Sequence, residues 1–407
     1  MALFDLNSED IPLAVSLSEQ LSNKKLKRLT KRGLFMVEKK EEFNDFHSEG
    51  LKGTLPGFYE QLKERLTFPL SWTSGNYQNF KQWRQIARNK VLECITITRG
   101  QTAFDPKLIA ETKMETYTAR KIAFNLTSVS RVPALMLIPN GNGPFPAVLL
   151  LHDHGSKFDI GKEKVIKPFN DSLKLESASA WSNQLYGGRF IGNELAARGY
   201  CVLSVDALGW SERGIISYEN QQALACNLMN LGISPAGLTA YEDLRAAAFL
   251  ASLPEVDPAR VGTLGLSMGA FRAWQLAAVS DSIKAGIGIC WMTTIKGVMI
   301  PGNNLLRGQS AFYMTHPGLA SFLDYPDVAS IAAPKPMLFY SGEKDALFPL
   351  GSVQEAYRKI RQVWQSQQAD DRLETKIWPD LGHEFNQEQQ NAAFQWLDHW
   401  INPISRG

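Results

Sequence analysis

The segment VGTLGLSMG at residues 261–269 constrains the fold more than any other part of this 407-residue chain. Residues 260–266 have the apolar pattern of a short buried strand, and the apolar residues that follow Ser267 predict a helix. The junction therefore has to be a sharp strand-to-helix turn. Gly265 and Gly269, two positions before and after the serine, indicate a turn that side chains would prevent from closing. The serine either exposes its hydroxyl beside the free N–H groups of the helix N-terminus or simply caps the helix.

Two later segments favour a chemical role for Ser267 over simple capping. Asp345 lies in YSGEKDALFP after an apolar strand, and His383 lies in LGHEF after another. Serine, acid and histidine follow one another in this order along α/β-hydrolase chains, in which the serine stands in a G-x-S-x-G turn. The sequence therefore predicts a triad of Ser267, Asp345 and His383.

Composition narrows the classes of protein that the chain can represent. Apolar residues make up 44% and charged residues 21% of the sequence, as in ordinary globular proteins. The formal net charge of +2 gives no reason to expect a nucleic-acid partner. Apolar runs are of strand length, too short to span a bilayer, and the first residues lack the pattern of a secretory signal. We expect a cytoplasmic protein that does not bind membranes, with its four scattered cysteines reduced.

The first part of the chain has a different pattern from the rest. Residues 1–112 carry helical patterning, with candidate helices near 11–29 and 80–91. We interpret them as a helical N-terminal extension to a domain that covers 113–407. Lysines and arginines cluster at 24–32, which favours a solvated helix face over an anionic surface or a subunit contact.

From residue 113 the apolar pattern changes to a period of two. The segments 116–124 and 132–138 predict strands at the antiparallel start of a sheet. Later strands alternate with helices, which predicts an α/β fold with a mostly parallel sheet covered on both faces. The segments 156–188 and 291–334 are too long to be plain connections. We expect these loop insertions to form walls or a lid at the edge of the sheet where ligands bind.

With these features, residues 113–402 resemble the α/β-hydrolase superfamily, and within it the dienelactone-hydrolase-like and acetyl-xylan-esterase-like branch. The resemblance is carried by the Ser267 turn, LHDHGSK at 151–157, DALGWSERG at 206–214, LPEVDPARVG at 253–262 and DYPDVASIAAP at 324–334. It implies an α/β-hydrolase fold and a serine hydrolase of carboxylic esters, on small molecules or acetylated sugars. It also favours Asp345 over the neighbouring Glu343 as the acid. Dienelactone hydrolases proper use a cysteine nucleophile, and the serine in this chain moves the expectation toward esterases.

The expected chemistry assigns one role to each member of the triad. His383 would remove the proton of the Ser267 hydroxyl, and Asp345 would hold the imidazole in the useful tautomer. A peptidase or amidase of the same fold would use the same triad. A catalytically silent protein that binds a ligand or partner is a further alternative, against which the intact triad argues. The sequence leaves open whether the protein forms a homo-oligomer.

An acyl transfer also needs two N–H donors for the oxyanion. The backbone of Met268 is expected to supply one, and the loop after the strand at 146–151 the other, with His154 the first candidate and Asp153 the next. His152 and His154 are also possible metal ligands, but the sequence shows no zinc-type cluster around them. We therefore expect neither a metal nor an organic cofactor.

Four further residues are candidates for contact with the substrate. Trp210, Trp291 and Met292 either line the acyl or alcohol pocket or belong to the core. His316 lies in the second long insertion and either touches the substrate or has a structural role.

Overall fold

A computed structural model describes residues 50–52, 55–95, 102–300 and 312–402. The chain divides into two compact units, Met1–Phe58 and Tyr59–Gly407. In the described part of the first unit, Leu51–Lys52 pairs antiparallel with Leu55–Pro56. The candidate helix near 11–29 and the basic cluster at 24–32 lie outside the described residues.

The second unit is organised around one nine-stranded sheet. Its strands are β1 (Lys107–Lys113), β2 (Tyr117–Asn125), β3 (Arg131–Pro139), β4 (Phe145–Leu151), β5 (Cys201–Val205), β6 (Val256–Leu266), β7 (Ala285–Ile289), β8 (Met337–Gly342) and β9 (Leu373–Trp378). They lie in the order β9-β8-β7-β6-β4-β5-β3-β2-β1. The strands β4 to β9 are parallel to one another, and β1 to β3 pair antiparallel at one side of the sheet.

Helices lie before, between and after the strands of the sheet. They are α1 (Tyr59–Glu64), α2 (Phe80–Cys94), α3 (Ser172–Leu185), α4 (Ile191–Ala197), α5 (Tyr218–Asn230), α6 (Pro235–Ala251), α7 (Met268–Val279), α8 (Ile295–Val298), α9 (Tyr325–Ser330), α10 (Leu350–Ser366) and α11 (Gln387–Ile401). Among the helices described, none is both long enough and apolar enough to cross a bilayer.

The central strands are buried on both faces. In β4, Ala147 and Leu149 pack into one hydrophobic cluster, whereas Val148 and Leu150 pack into another. Successive residues of a strand point to opposite faces, so a continuous apolar run is what a sheet covered on both sides requires. The predicted α/β architecture is therefore confirmed.

The candidate helix near 80–91 is present as α2, but the segment before the sheet ends earlier than expected. Trp83, Ala87 and Val91 lie along one side of α2 and are fully buried in the core of the second unit. Residues 107–113 form β1, so the expected boundary at residue 112 falls inside a strand. The strand was missed because most of its side chains are exposed and show no apolar alternation. Its pairing with β2 places it in the sheet.

The two predicted insertions contain regular structure. The first includes a single 3-10 turn at Lys162–Lys164 and the helix α3. The second includes α8 and α9, and its residues 301–311 lie outside the described part of the chain.

Candidate active site

The turn that carries Ser267 has the geometry that the two glycines indicate. Ser267 stands between β6 and α7 with φ 57° and ψ −124°, a strained conformation for a residue with a side chain. A Cβ on Gly265 would lie 2.2 Å from the carbonyl carbon of Gly269, and one on Gly269 would lie 1.9 Å from the carbonyl oxygen of Leu151. A side chain at Gly265 would require β6 and α7 to separate, and one at Gly269 would require α7 to move away from β4. The steric interpretation of the motif is therefore correct.

Asp345 and His383 meet at the same edge of the sheet, beyond the ends of β8 and β9. The Nδ1 of His383 lies 2.7 Å from Oδ2 of Asp345, and Oδ1 of the same carboxylate accepts the N–H of Leu347 at 3.0 Å. A carboxylate accepts hydrogen bonds, so Nδ1 carries the proton and Nε2 is left as the basic nitrogen of the neutral ring. A Cβ on Gly342 would lie 2.2 Å from the carbonyl oxygen of Gly382, which shows how closely the two turns approach.

Glu343, the alternative acid, points elsewhere. It is exposed, and its carboxylate accepts the N–H of Asp380 at 3.2 Å. Asp345 is only 6% exposed and is the carboxylate that contacts the imidazole of His383.

Ile289 and Cys290 connect the serine turn to the strand before the acid and to the segment that carries the histidine. The N–H of Ser267 donates to the carbonyl of Ile289 at 2.8 Å, and the N–H of Cys290 donates to the carbonyl of Tyr340 at 2.7 Å. The Cys290 thiol donates to the carbonyl of Glu384 at 3.5 Å. Burial raises the pKa of this thiol, which keeps it protonated and unreactive. No sequence signal indicates this role beyond the position of Cys290 directly after β7.

The loop after β4 places two neutral histidines in the interior. His152 accepts the N–H of Ala207 on Nε2 at 3.0 Å and donates from Nδ1 to the carbonyl of Asp153 at 2.9 Å. His154 accepts the N–H of Ser156 on Nδ1 at 3.1 Å and donates from Nε2 to Oε1 of Gln221 at 3.3 Å. Each ring uses its one lone pair in a hydrogen bond, so neither offers a free nitrogen to a metal ion.

The electrostatic environment agrees with these neutral tautomers. Burial lowers the pKa of His154 to about 4, and burial together with Arg272 lowers the pKa of His152 well below its ordinary value. The Arg272 guanidinium is itself buried and pairs with Asp243 at 2.7 Å.

The two expected oxyanion donors have backbone N–H groups available. Within the described residues, the N–H groups of His154 and Met268 have no hydrogen-bond partner. The Asp153 carboxylate is fully buried and accepts hydrogen bonds from Tyr186 at 2.7 Å and Trp181 at 3.2 Å. The Asp153 side chain therefore forms hydrogen bonds inside the protein. The roles of His154, Met268 and Asp153 as oxyanion donors stay predictions.

The four candidate substrate contacts are all buried. Trp210 packs against His152, His154, Phe158 and Tyr313. Trp291 packs against Phe271, Trp274, Tyr325 and Phe348, and its Nε1 donates to the sulfur of Met314. Met292 is 1% exposed, and His316 stacks on Phe271 and contacts Gln275. These contacts are those of core residues, and direct contact with a substrate stays a prediction.

Two groups of described residues bring three potential metal ligands within 4.8 Å of one another. They are Cys290, Asp345 and His383 in one group, and Glu163, Asp206 and Glu212 in the other. In the first, the acid and the imidazole already bond to each other. In the second, the Lys162 ammonium lies 2.7 to 2.8 Å from all three carboxylates and supplies the positive charge between them.

We expect stability to fall on acidification because two buried histidines resist protonation. Burial lowers the pKa of both His154 and His316 from the ordinary 6.5 to about 4. Between these values the unfolded chain binds protons that the folded chain does not, so the stabilisation is complete above pH 6.5 and is lost as the pH falls toward 4. Each shift corresponds to roughly 3 kcal/mol.

The measurement is the free energy of unfolding at pH 7 and pH 4.5 for the wild type and for His316→Gln. We expect the variant to be less stable at pH 7 but to lose roughly 2 kcal/mol less on acidification. Equal losses for the two proteins would contradict the assigned protonation of His316.

Comparison with known proteins places this site in a family. Residues 181–400 match the model of the dienelactone hydrolase family. The chain is 30% identical over 281 residues to "Putative hydrolase YtaP" of Bacillus subtilis (strain 168), an alignment that covers 69% of this chain and 87% of that protein.

Solved structures show the same fold at lower identity. A "putative acetyl xylan esterase" from Bacteroides fragilis NCTC 9343 superposes with a TM-score of 0.60 at 17% identity, over 79% of this chain and 82% of that chain. A glucuronoyl esterase from Solibacter usitatus superposes with a TM-score of 0.58 at 14% identity, over 83% of this chain and 97% of that chain. The family model, the sequence relative and the sheet topology agree: the chain belongs to the dienelactone hydrolase family and is a hydrolytic enzyme with the α/β-hydrolase fold.

Proposed function

We propose that the protein is a serine esterase that cleaves carboxylic esters through an acyl-enzyme on Ser267. The observation that carries the proposal is the 2.7 Å contact between Asp345 and His383 at the sheet edge where Ser267 stands in its strained turn. A serine hydroxyl needs a neighbouring base to become a nucleophile, and an imidazole with its Nδ1 proton held by a carboxylate is such a base.

The reaction follows from the assigned tautomer. Nε2 of His383 takes the Ser267 proton as the oxygen attacks the ester carbonyl, and it gives that proton to the departing alcohol. Asp345 stabilises the imidazolium that forms in between. The N–H groups of Met268 and His154 would bind the oxygen that becomes negative. Water then reverses the sequence and releases the acid.

We propose esters with a small acyl group, including acetylated sugars, as the substrate class. The ring of Phe348 stacks on His383 with centroids 6.4 Å apart, and Trp291 packs against Phe348 at 5.5 Å. Because this bulk stands beside the imidazole, we expect a short acyl group. Acetyl xylan esterases and glucuronoyl esterases are among the structurally similar proteins, which supports esters of sugars.

The test is a substrate panel with p-nitrophenyl esters of increasing acyl length, acetylated xylose and an alanine p-nitroanilide. We expect turnover of p-nitrophenyl acetate and of the acetylated sugar, a decline of kcat/KM beyond about four acyl carbons, and an anilide rate lower by about 10²-fold or more. A comparable anilide rate would favour a peptidase or amidase. Ligand-induced thermal stabilisation without turnover of any substrate would favour a silent binding protein.

A further inference from the structure

We propose that Lys164 is a positioning residue that orients the peptide groups of the loop after β4, so that the N–H of His154 faces the substrate oxyanion. The proposal rests on the proposed esterase function. Lys164 ends the 3-10 turn in the first insertion, and its side chain is fully buried. Its ammonium donates to the backbone carbonyls of Asp153 and His154, both at 2.9 Å, and lies 3.3 Å from the Asp153 carboxylate.

Because a peptide group is planar, the direction of each carbonyl also fixes the direction of the N–H group in the same peptide. The carbonyl of Asp153 and the N–H of His154 belong to one planar trans peptide and point in opposite directions. The same holds for the carbonyl of His154 and the N–H of Gly155. Because both carbonyls are turned onto Lys164, both N–H groups are turned away from it. Neither of these N–H groups has a hydrogen-bond partner among the described residues, and that of His154 is the expected oxyanion donor.

A second cation acts on the preceding peptide. Nη1 of Arg272 lies 3.4 Å from the carbonyl of His152, and Arg272 is on α7, the helix that begins directly after Ser267. The loop is thus held from both sides, by a lysine of the insertion and by an arginine of the nucleophile helix. Gly155 has φ 55°, and a Cβ there would lie 2.1 Å from the Trp181 ring, so the backbone has little freedom to rotate.

Burial of the Lys164 ammonium costs free energy unless the group is paired and hydrogen-bonded. Burial lowers the pKa of Lys164, and the Asp153 carboxylate opposes that shift. The Trp181 ring lies 5.2 Å from the ammonium and adds a cation–π contact. A hydrocarbon side chain would fill the same space but would remove one donor from each carbonyl. The Asp153 carbonyl would keep the Nδ1–H of His152 at 2.9 Å, and the His154 carbonyl would keep the Nε1–H of Trp210 at 3.4 Å.

The experiment compares Lys164→Met and Lys164→Arg with Tyr186→Phe. The phenylalanine variant is the matched control, because it removes a 2.7 Å hydrogen bond to the same Asp153 but touches only the carboxylate, not the loop carbonyls. We expect Lys164→Met to lower kcat on p-nitrophenyl acetate by about 10²-fold with KM within threefold, as for the loss of an oxyanion donor. Tyr186→Phe should keep kcat within about threefold even where it lowers the melting temperature.

Inhibition by a boronic acid is a second measurement, and its inhibition constant would not change if Lys164 had only a structural role. Phenylboronic acid forms a tetrahedral adduct with an active-site serine and places an oxygen where the oxyanion forms. Its inhibition constant should rise in parallel with the loss of kcat for the Lys164 variants and stay unchanged for Tyr186→Phe. Loss of kcat with an unchanged boronate constant would overturn the proposal.

Lys164→Arg keeps the experiment decisive if the methionine variant does not fold. It retains the buried charge, but the larger, planar guanidinium presents its N–H groups in a rigid fork and does not fit the position of the compact ammonium. We expect kcat to fall tenfold or more at unchanged KM. A folded Lys164→Arg protein with wild-type kcat would overturn the proposal. Failure of the esterase function itself would show differently, as absence of turnover in the wild type.

Discussion

Substitution of Ser267 by alanine is expected to abolish ester hydrolysis while the fold is retained. Removal of a triad nucleophile typically costs about 10⁴- to 10⁶-fold in kcat, because the remaining groups only bind and polarise the substrate. An alanine should be accepted at this turn, since the close contacts of the motif involve Gly265 and Gly269 and not the serine hydroxyl.

The measurements are kcat on p-nitrophenyl acetate and labelling by a fluorophosphonate probe, with circular dichroism to confirm folding. The wild type should carry one label and Ser267→Ala none. Cys290→Ala is the matched control, because this thiol stands at the same sheet edge within reach of Asp345 and His383. Labelling that persists in Ser267→Ala but disappears in Cys290→Ala would reassign the nucleophile.

The second large effect is expected from Asp345→Asn. The asparagine can present an N–H₂ group toward Nδ1 of His383, which favours the tautomer with the proton on Nε2 and removes the base from the serine. The fold should persist because the substitution keeps the size of the side chain and an oxygen for the Leu347 N–H. We expect kcat to fall by about 10⁴-fold, as for the equivalent substitution in serine proteases.

Glu343→Gln is the control for this substitution. Glu343 belongs to the same turn, but it is exposed and its carboxylate accepts the N–H of Asp380. Its removal should change kcat less than about tenfold, because the contact lies outside the pair that holds the imidazole. If kcat fell strongly in Glu343→Gln but not in Asp345→Asn, the acid would have been misassigned.

Much of the fold is readable from the sequence because its signals are local. The apolar run of β4 predicts a strand buried on both faces, and the structure divides its residues between two cores. The Ser267 turn is equally local, since the glycines that allow it lie two positions away on either side. The family resemblance rests on such segments, and the comparisons confirm it.

Elements with weak local signals were misjudged. The strand β1 exposes most of its side chains, so neither periodicity nor hydropathy marks it, and its place in the sheet depends on β2. The helix α3 lies in a segment interpreted as a loop insertion, and Trp181 on that helix contacts Asp153 of the site loop. For such segments the tertiary partner decides the structure, and that partner is not encoded nearby in the chain.

The sequence by itself determined the strand–turn–helix at Ser267, the order of serine, acid and histidine, and the α/β class, because each is read from local residue patterns and from their order along the chain. Only the tertiary structure decided which carboxylate faces His383, that His152 and His154 are buried with both ring nitrogens bonded, and that Lys164 binds the loop carbonyls. The physical reason is that a lysine or carboxylate has the same sequence signature whether it is solvated or buried. Its role is set by partners that chain topology brings to it from distant segments.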